Sequence, residues 1–201
     1  MDKVFLGLLI VFFGVLMWSK CRGGCGCSRE GLLVQKQLVH VVPPKILLPQ
    51  LFQKQTINMS QFAESIKNGD TGLRTQSIAA IDQTSNAIAE QLPEDMRKVW
   101  LDFFNARNFK VSNTIQARLT GQFDEKSPTA LAVHEHSRKF ATDVGNAKLH
   151  ELLEKEWACT RDYINELKQY GRSPSYDDQV AKCAAISGGV GELVYKTLFG
   201  A

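Results

Sequence analysis

The sequence predicts an all-α protein, with an N-terminal membrane-directed helix followed by a bundle of four or five helices. Three observations predict it. Residues 4–18, VFLGLLIVFFGVLMW, are apolar on every side. Beyond residue 58, apolar positions recur at spacings of three and four between residues that cap helices. No strand-rich stretch, internal repeat or low-complexity tract appears.

A chain of 201 residues accommodates one domain of ordinary size plus an anchor. Hydrophobic residues make up 44% and charged residues 22%, so the body can bury a core without metal or disulfide help. The formal net charge is +3, with excess just after the apolar run at Lys20, Arg22 and Arg29. That is membrane-proximal charge rather than the dense basic face a nucleic-acid binder needs. The expected partners are therefore a membrane and a protein partner or a second copy of the chain, with no nucleic acid.

Residues 1–20 make the first element, a signal anchor or signal peptide. A helix over residues 4–19 spans about 24 Å against a bilayer core of about 30 Å. Lys3 and Lys20 can snorkel outward to cover the difference, and Trp18 suits the interface. Length favours an anchor; small residues at Gly23 to Gly26 leave cleavage open. Lysine and arginine counts lean towards a cytoplasmic body, whereas the cysteines lean the other way. The expected location is a single-pass membrane protein with a periplasmic or luminal body, secreted if the segment is cleaved.

Residues 21–57 make a cysteine- and glycine-containing neck and a proline-containing connector. Cys21, Cys25 and Cys27 stand in KCRGGCGCSREG. Their C-x3-C-x-C spacing matches neither a zinc half-site nor a redox pair, so they are candidates for lipidation or inter-chain thiols. Pro43, Pro44 and Pro49 interrupt an otherwise apolar run. They argue against a continuous helix and for an extended connector.

The helical body is expected over 58–201. Ser60 opens and Gly69 closes a short helix. Thr71 to Leu92 carries a face of Ile78, Ile81, Ser85, Ile88 and Leu92. Glu94 to about Leu119 is helical and aromatic, with a polar stretch from Asn105 to Asn113 that allows a break. After a loop at residues 120–127, Ser127-Pro128 starts a pattern running to Tyr170, with a kink near Gly145. A turn at Gly171 leads to a last helix from about Asp177 to Leu198. Ser187-Gly188-Gly189-Val190-Gly191 within it means either a break or a close helix–helix approach.

Cys159 and Cys183 are the candidate disulfide. Each lies twelve residues from Gly171, so an antiparallel hairpin sets them at matching heights. Two buried thiols in a helix interface are the alternative. Trp100, Phe104 and Trp157 are the candidate ligand pocket, with core filling as the other reading. His134-Glu135-His136 looks like a ligand motif, but residues two apart diverge on a helix. His150 and Glu154 share a face and are half of a carboxylate-bundle site whose second half the sequence lacks. No HExxH, phosphate-binding loop or nucleophile elbow occurs, so no catalytic residue, metal ligand or cofactor is assigned. Asn58-Met59-Ser60 fits the N-glycosylation pattern.

These features lead to one functional expectation: a membrane-anchored or exported helical interaction or assembly protein, without catalysis. The alternative is an extracytoplasmic helical ligand-binding or sensor domain.

Overall fold

The computed structural model describes residues 42–124 and 126–200. The expected anchor, Cys21, Cys25, Cys27 and the start of the connector lie outside the described residues. Val42 onward forms one compact unit.

The described residues form six helices and no strand. They are α1 (Pro44–Asn68), α2 (Thr71–Gln91), α3 (Glu94–Thr120), α4 (Pro128–Val144), α5 (Ala147–Tyr170) and α6 (Pro174–Phe199). The all-α class holds, but the body has six helices where the sequence suggested four or five. None of the six is long and apolar enough to cross a membrane.

Two boundaries differ from the expectation: one lengthens the first helix and the other divides a helix in two, which adds the extra one. The first is the proline-containing connector. Its prolines start a helix instead of forbidding one: Pro43 is the N-cap and Pro44 the first helical residue. Pro49 then sits inside α1. Its ring removes the bond that would run to the carbonyl of Lys45, an exposed residue in the first turn. Leu48 and Phe52 on either side are buried in the core, so packing outweighs the roughly 3 kcal/mol intrinsic cost of an interior proline. Ser60 consequently lies mid-helix and caps nothing; its hydroxyl donates to the Ile57 carbonyl at 2.8 Å. The second boundary is Gly145. Instead of a kinked helix over residues 128–170, Gly145 adopts φ +79° and ends α4. The Asn146 side chain then caps α5 by accepting from the Lys148 amide at 3.0 Å.

Elsewhere the expected cap Ser127 acts as one, while Asp70 caps the helix expected from Thr71 and Ser173 starts the last helix at Pro174 rather than about Asp177. Asp70 accepts from the Leu73 amide, Ser127 from Ala130 and Ser173 from Tyr176. Helix α3 runs through Asn105 to Asn113 without a break. On α2, Ile81, Ser85 and Ile88 are buried as expected, while Ile78 is exposed. Ser77 and Thr84 take the remaining buried positions of that face.

Helix α1 is the hub. It packs most extensively on α6 and α2, and also touches α3 and α5. Its middle therefore buries polar residues among apolar ones: Thr56, Asn58, Ser60, Glu64 and Ser65. Asn58 donates to the Ala80 carbonyl and the Thr84 hydroxyl, both at 3.0 Å. With both amide hydrogens used and 5% exposure, Asn58 has no room for a glycan in this fold, which removes the glycosylation reading.

The glycine run on α6 does not break the helix. It lets α6 lie directly on the first turns of α1, with Gly188 beside Gln53 and Gly191 against the backbone of Leu48 and Pro49. On its other side α6 is fastened to α5 by a disulfide between Cys159 and Cys183, with alpha-carbons 5.5 Å apart. The hairpin geometry read from Gly171 is thus borne out.

Candidate functional site

Trp100, Phe104 and Trp157, far apart in sequence, line one internal cavity. Helices α1, α3 and α5 enclose it. Trp100 is fixed from behind: its indole nitrogen donates to the carbonyl and hydroxyl of Ser85 on α2, at 3.0 and 3.1 Å. Phe52, Phe103, Phe104 and Phe140 surround the same indole with ring centroids 5.1 to 5.7 Å away. This aromatic layer makes one wall rigid.

The opposite side is polar, and sequence analysis did not single it out. Arg107 of α3 donates from Nη2 to Oε2 of Glu156 on α5 at 2.7 Å. The other Glu156 oxygen, Oε1, accepts from the Ser187 hydroxyl of α6 at 2.7 Å. Ser187 has one hydrogen to give, so the Thr56 hydroxyl of α1 donates to it in turn. Four helices are joined in this chain, and Glu156 is held as an acceptor with both oxygens engaged. A carboxylate so occupied is a structural anchor rather than a free base.

Several polar atoms facing this region lack a partner among the described residues. They include both ends of the Gln55 amide, Nε of Arg107 and the Tyr163 hydroxyl. Tyr163 is fully buried, and burial pushes its phenol well above the usual tyrosine range. The neighbouring Thr160 hydroxyl pulls the other way without forming a well-aligned bond. The cavity measures about 40 Å³. That admits roughly one to three waters, and is far below the roughly 150 Å³ that holds benzene. Buried amide and phenol groups beside a hole of this size call for water, which satisfies them at small cost.

A signal for the polar side was present in the sequence. Leu149, Leu153, Glu156, Thr160, Tyr163 and Leu167 follow one helical stripe, and all six are buried. A carboxylate in the middle of that stripe requires a buried cation or donor. Which cation it is, forty-nine residues away on another helix, is not written locally.

The histidines separate as their spacing requires. His134 pairs through Nδ1 with Oε2 of Glu154, which reaches across from α5. His150 stands 3.8 Å from the other Glu154 oxygen. His136 instead lines a groove shared with α3. Among the described residues, no group of three or more histidine, cysteine, aspartate or glutamate side chains is arranged to hold a metal ion.

No family model, no curated protein and no solved structure matches the chain.

Proposed function

We propose that the chain is a membrane-anchored or exported helical interaction or assembly protein, non-catalytic, with its body outside the cytoplasm. The observation that carries the reading is the Cys159–Cys183 bridge, because a structural disulfide persists in oxidising compartments and is rare in the cytosol. The apolar run of residues 4–18 supplies the route there. A core that closes around a water-sized hole leaves the outer faces as contact area, and Ile46, Phe109, Leu131 and Tyr170 are exposed on them.

The test is impermeant thiol labelling of intact and opened membranes, with and without reduction, followed by mass spectrometry of the Cys159 and Cys183 peptides. A second aliquot of the intact membranes is cross-linked. The reading expects labelling only after denaturing reduction, without opening the membrane, and cross-linked species of discrete mass. Labelling without reduction, but only after opening, would place the body in the cytoplasm. Cross-linking that leaves only the monomer would remove the assembly role.

A ligand-binding or sensor role is the second reading, favoured by the convergence of Trp100, Phe104 and Trp157 on one cavity. At its present size the cavity must widen to take an organic guest. Indole is a suitable probe. It should raise the melting temperature of the full chain, and Trp157→Ala should alter that response while the helical circular dichroism stays native. The same shift in both proteins would locate the guest elsewhere.

A further inference from the structure

We propose that the end of the bundle where α1 begins and α6 finishes docks on the surface of a lipid bilayer. The proposal deepens the membrane-anchored reading above and rests on it, since the apolar residues 4–18 are what bring a bilayer to the body.

Several elements meet at this end. Helix α6 runs antiparallel to α1: Ser187 bonds Thr56, and Gly191 lies against Leu48 and Pro49. The last turn of α6 therefore reaches the level of the first turn of α1. The turn between α4 and α5 joins them, where the Asn146 side-chain amide donates to the Thr197 hydroxyl at 2.7 Å.

The apolar side chains here are open to solvent. Val42 and Ile46, on either side of the Pro43 cap, are 38% and 51% exposed, and Phe199 of α6 is 42% exposed. Phe199 stacks on Tyr195 with ring centroids 5.0 Å apart, which sets an aromatic pair at the level of the aliphatic one. Lys45, Lys148 and Lys196 are exposed at the same end. Lys196 faces Glu192 at 3.8 Å, but both are 59% exposed and such a pair contributes little. Aliphatic and aromatic side chains beside long lysines suit the bilayer interface, where the apolar groups enter and the ammonium groups reach the phosphates. The turn from α2 to α3 returns to this end and adds exposed Glu94 and Asp95, so the apolar residues rather than net charge carry the docking.

The chain path says what covers this face. The chain enters the body here, at Val42, and residues 19–41 separate it from Trp18 at the end of the apolar run. Those 23 residues span at most about 80 Å when fully extended. A tether of this length holds the body at an effective concentration on the order of millimolar, at which weak docking is enough. Tyr170, also exposed, lies at the opposite end, beside the Gly171 turn from which α6 starts.

The test is tryptophan quenching in the full chain, reconstituted in phosphatidylcholine vesicles with or without bromine on the acyl chains near the headgroup. The chain has three tryptophans; Trp100 and Trp157 are buried, and Trp18 belongs to the apolar run. The unaltered chain therefore reports insertion of that run. Phe199→Trp adds a reporter on the proposed face, and Tyr170→Trp adds one at the opposite end. The expected result is one quenched tryptophan in the unaltered chain and in Tyr170→Trp, and two in Phe199→Trp. Combining Ile46→Glu with Phe199→Trp puts a charge into the docked face and should cut the added quenching at least about twofold, with the helical circular dichroism unchanged. Quenching in the unaltered chain with no increase in Phe199→Trp overturns the docking and leaves the anchor standing. An equal increase in Phe199→Trp and Tyr170→Trp, or an increase undiminished by Ile46→Glu, also overturns it. An unaltered chain that is not quenched at all removes the anchor, and the proposal falls with it.

Discussion

A methyl group placed on Gly191 would lie 2.9 Å from the Leu48 carbonyl and from the alpha-carbon of Pro49. Those are backbone atoms of α1, and they cannot turn aside. The same group on Gly189 would meet only Leu152 Cδ2 at 3.6 Å, an ordinary contact. On Gly188 it would meet the Gln53 amide at 2.5 Å, the far end of an exposed side chain that is free to move. Alanine otherwise favours a helix over glycine by about 1 kcal/mol. The three substitutions should therefore separate. Gly189→Ala is expected to stabilise by up to about 1 kcal/mol and Gly188→Ala to stay near neutral. Gly191→Ala should destabilise by about 1–3 kcal/mol, because α6 must lift from α1. Urea midpoints of the three variants check this, and an equal effect at all three positions would mean that the α1–α6 approach is not the reason for the glycines.

At the scale of elements, what the sequence could reveal depended on how local the determinant is. Caps are local, so Ser127 and the glycine after α1 could be read within a few residues. The cysteine hairpin was legible for a similar reason: a single turn at Gly171 relates Cys159 to Cys183. Pro49 was misread because its effect is decided by contacts with a helix about 140 residues later. Local propensity counts the missing amide; it does not count Gly191 receiving the proline turn. Gly145 was read as a kink rather than an end because the apolar stripe resumes in phase soon after it. Phe140 and Val144 before the turn, and Leu149 and Leu153 after it, all reach the core. The candidate pocket shows the same division. Its aromatic wall is built from large apolar residues on predicted helices, and three of them could be named. Its polar wall rests on the Arg107–Glu156 pairing between α3 and α5, which only the packed bundle defines.

At the scale of the whole molecule, two tyrosines tie the hub helix to the disulfide-linked pair. Tyr163 of α5 and Tyr176 of α6 pack edge to face, with ring centroids 6.0 Å apart, and Tyr176 donates to the Ser60 carbonyl of α1 at 3.1 Å. Burial raises both phenols above the ordinary value of 10.0, Tyr163 with added repulsion from Glu156 and Tyr176 with added repulsion from Tyr163 and Glu64. The direction fixes the sign of the pH effect. Below about pH 10 both phenols keep their protons whether the chain is folded or not, and they contribute no pH dependence. Above it the unfolded chain releases those protons while the folded chain retains them, so the unfolded state gains. Stability should therefore fall with rising alkalinity, by up to about 1.4 kcal/mol per pH unit for each tyrosine. Urea unfolding at pH 9 and pH 11, with free thiols blocked to prevent disulfide exchange, measures the loss. Lysines titrate in the same range, but a comparison with Tyr163→Phe cancels them. That variant removes a buried hydroxyl lacking a well-formed bond to another protein group, so it should fold with near-native stability at pH 7 and lose about 1 kcal/mol less between pH 9 and pH 11. Parallel losses in the two proteins would mean that the Tyr163 phenol ionises in contact with bulk solvent in the folded state, and that the junction of α1, α5 and α6 is not closed.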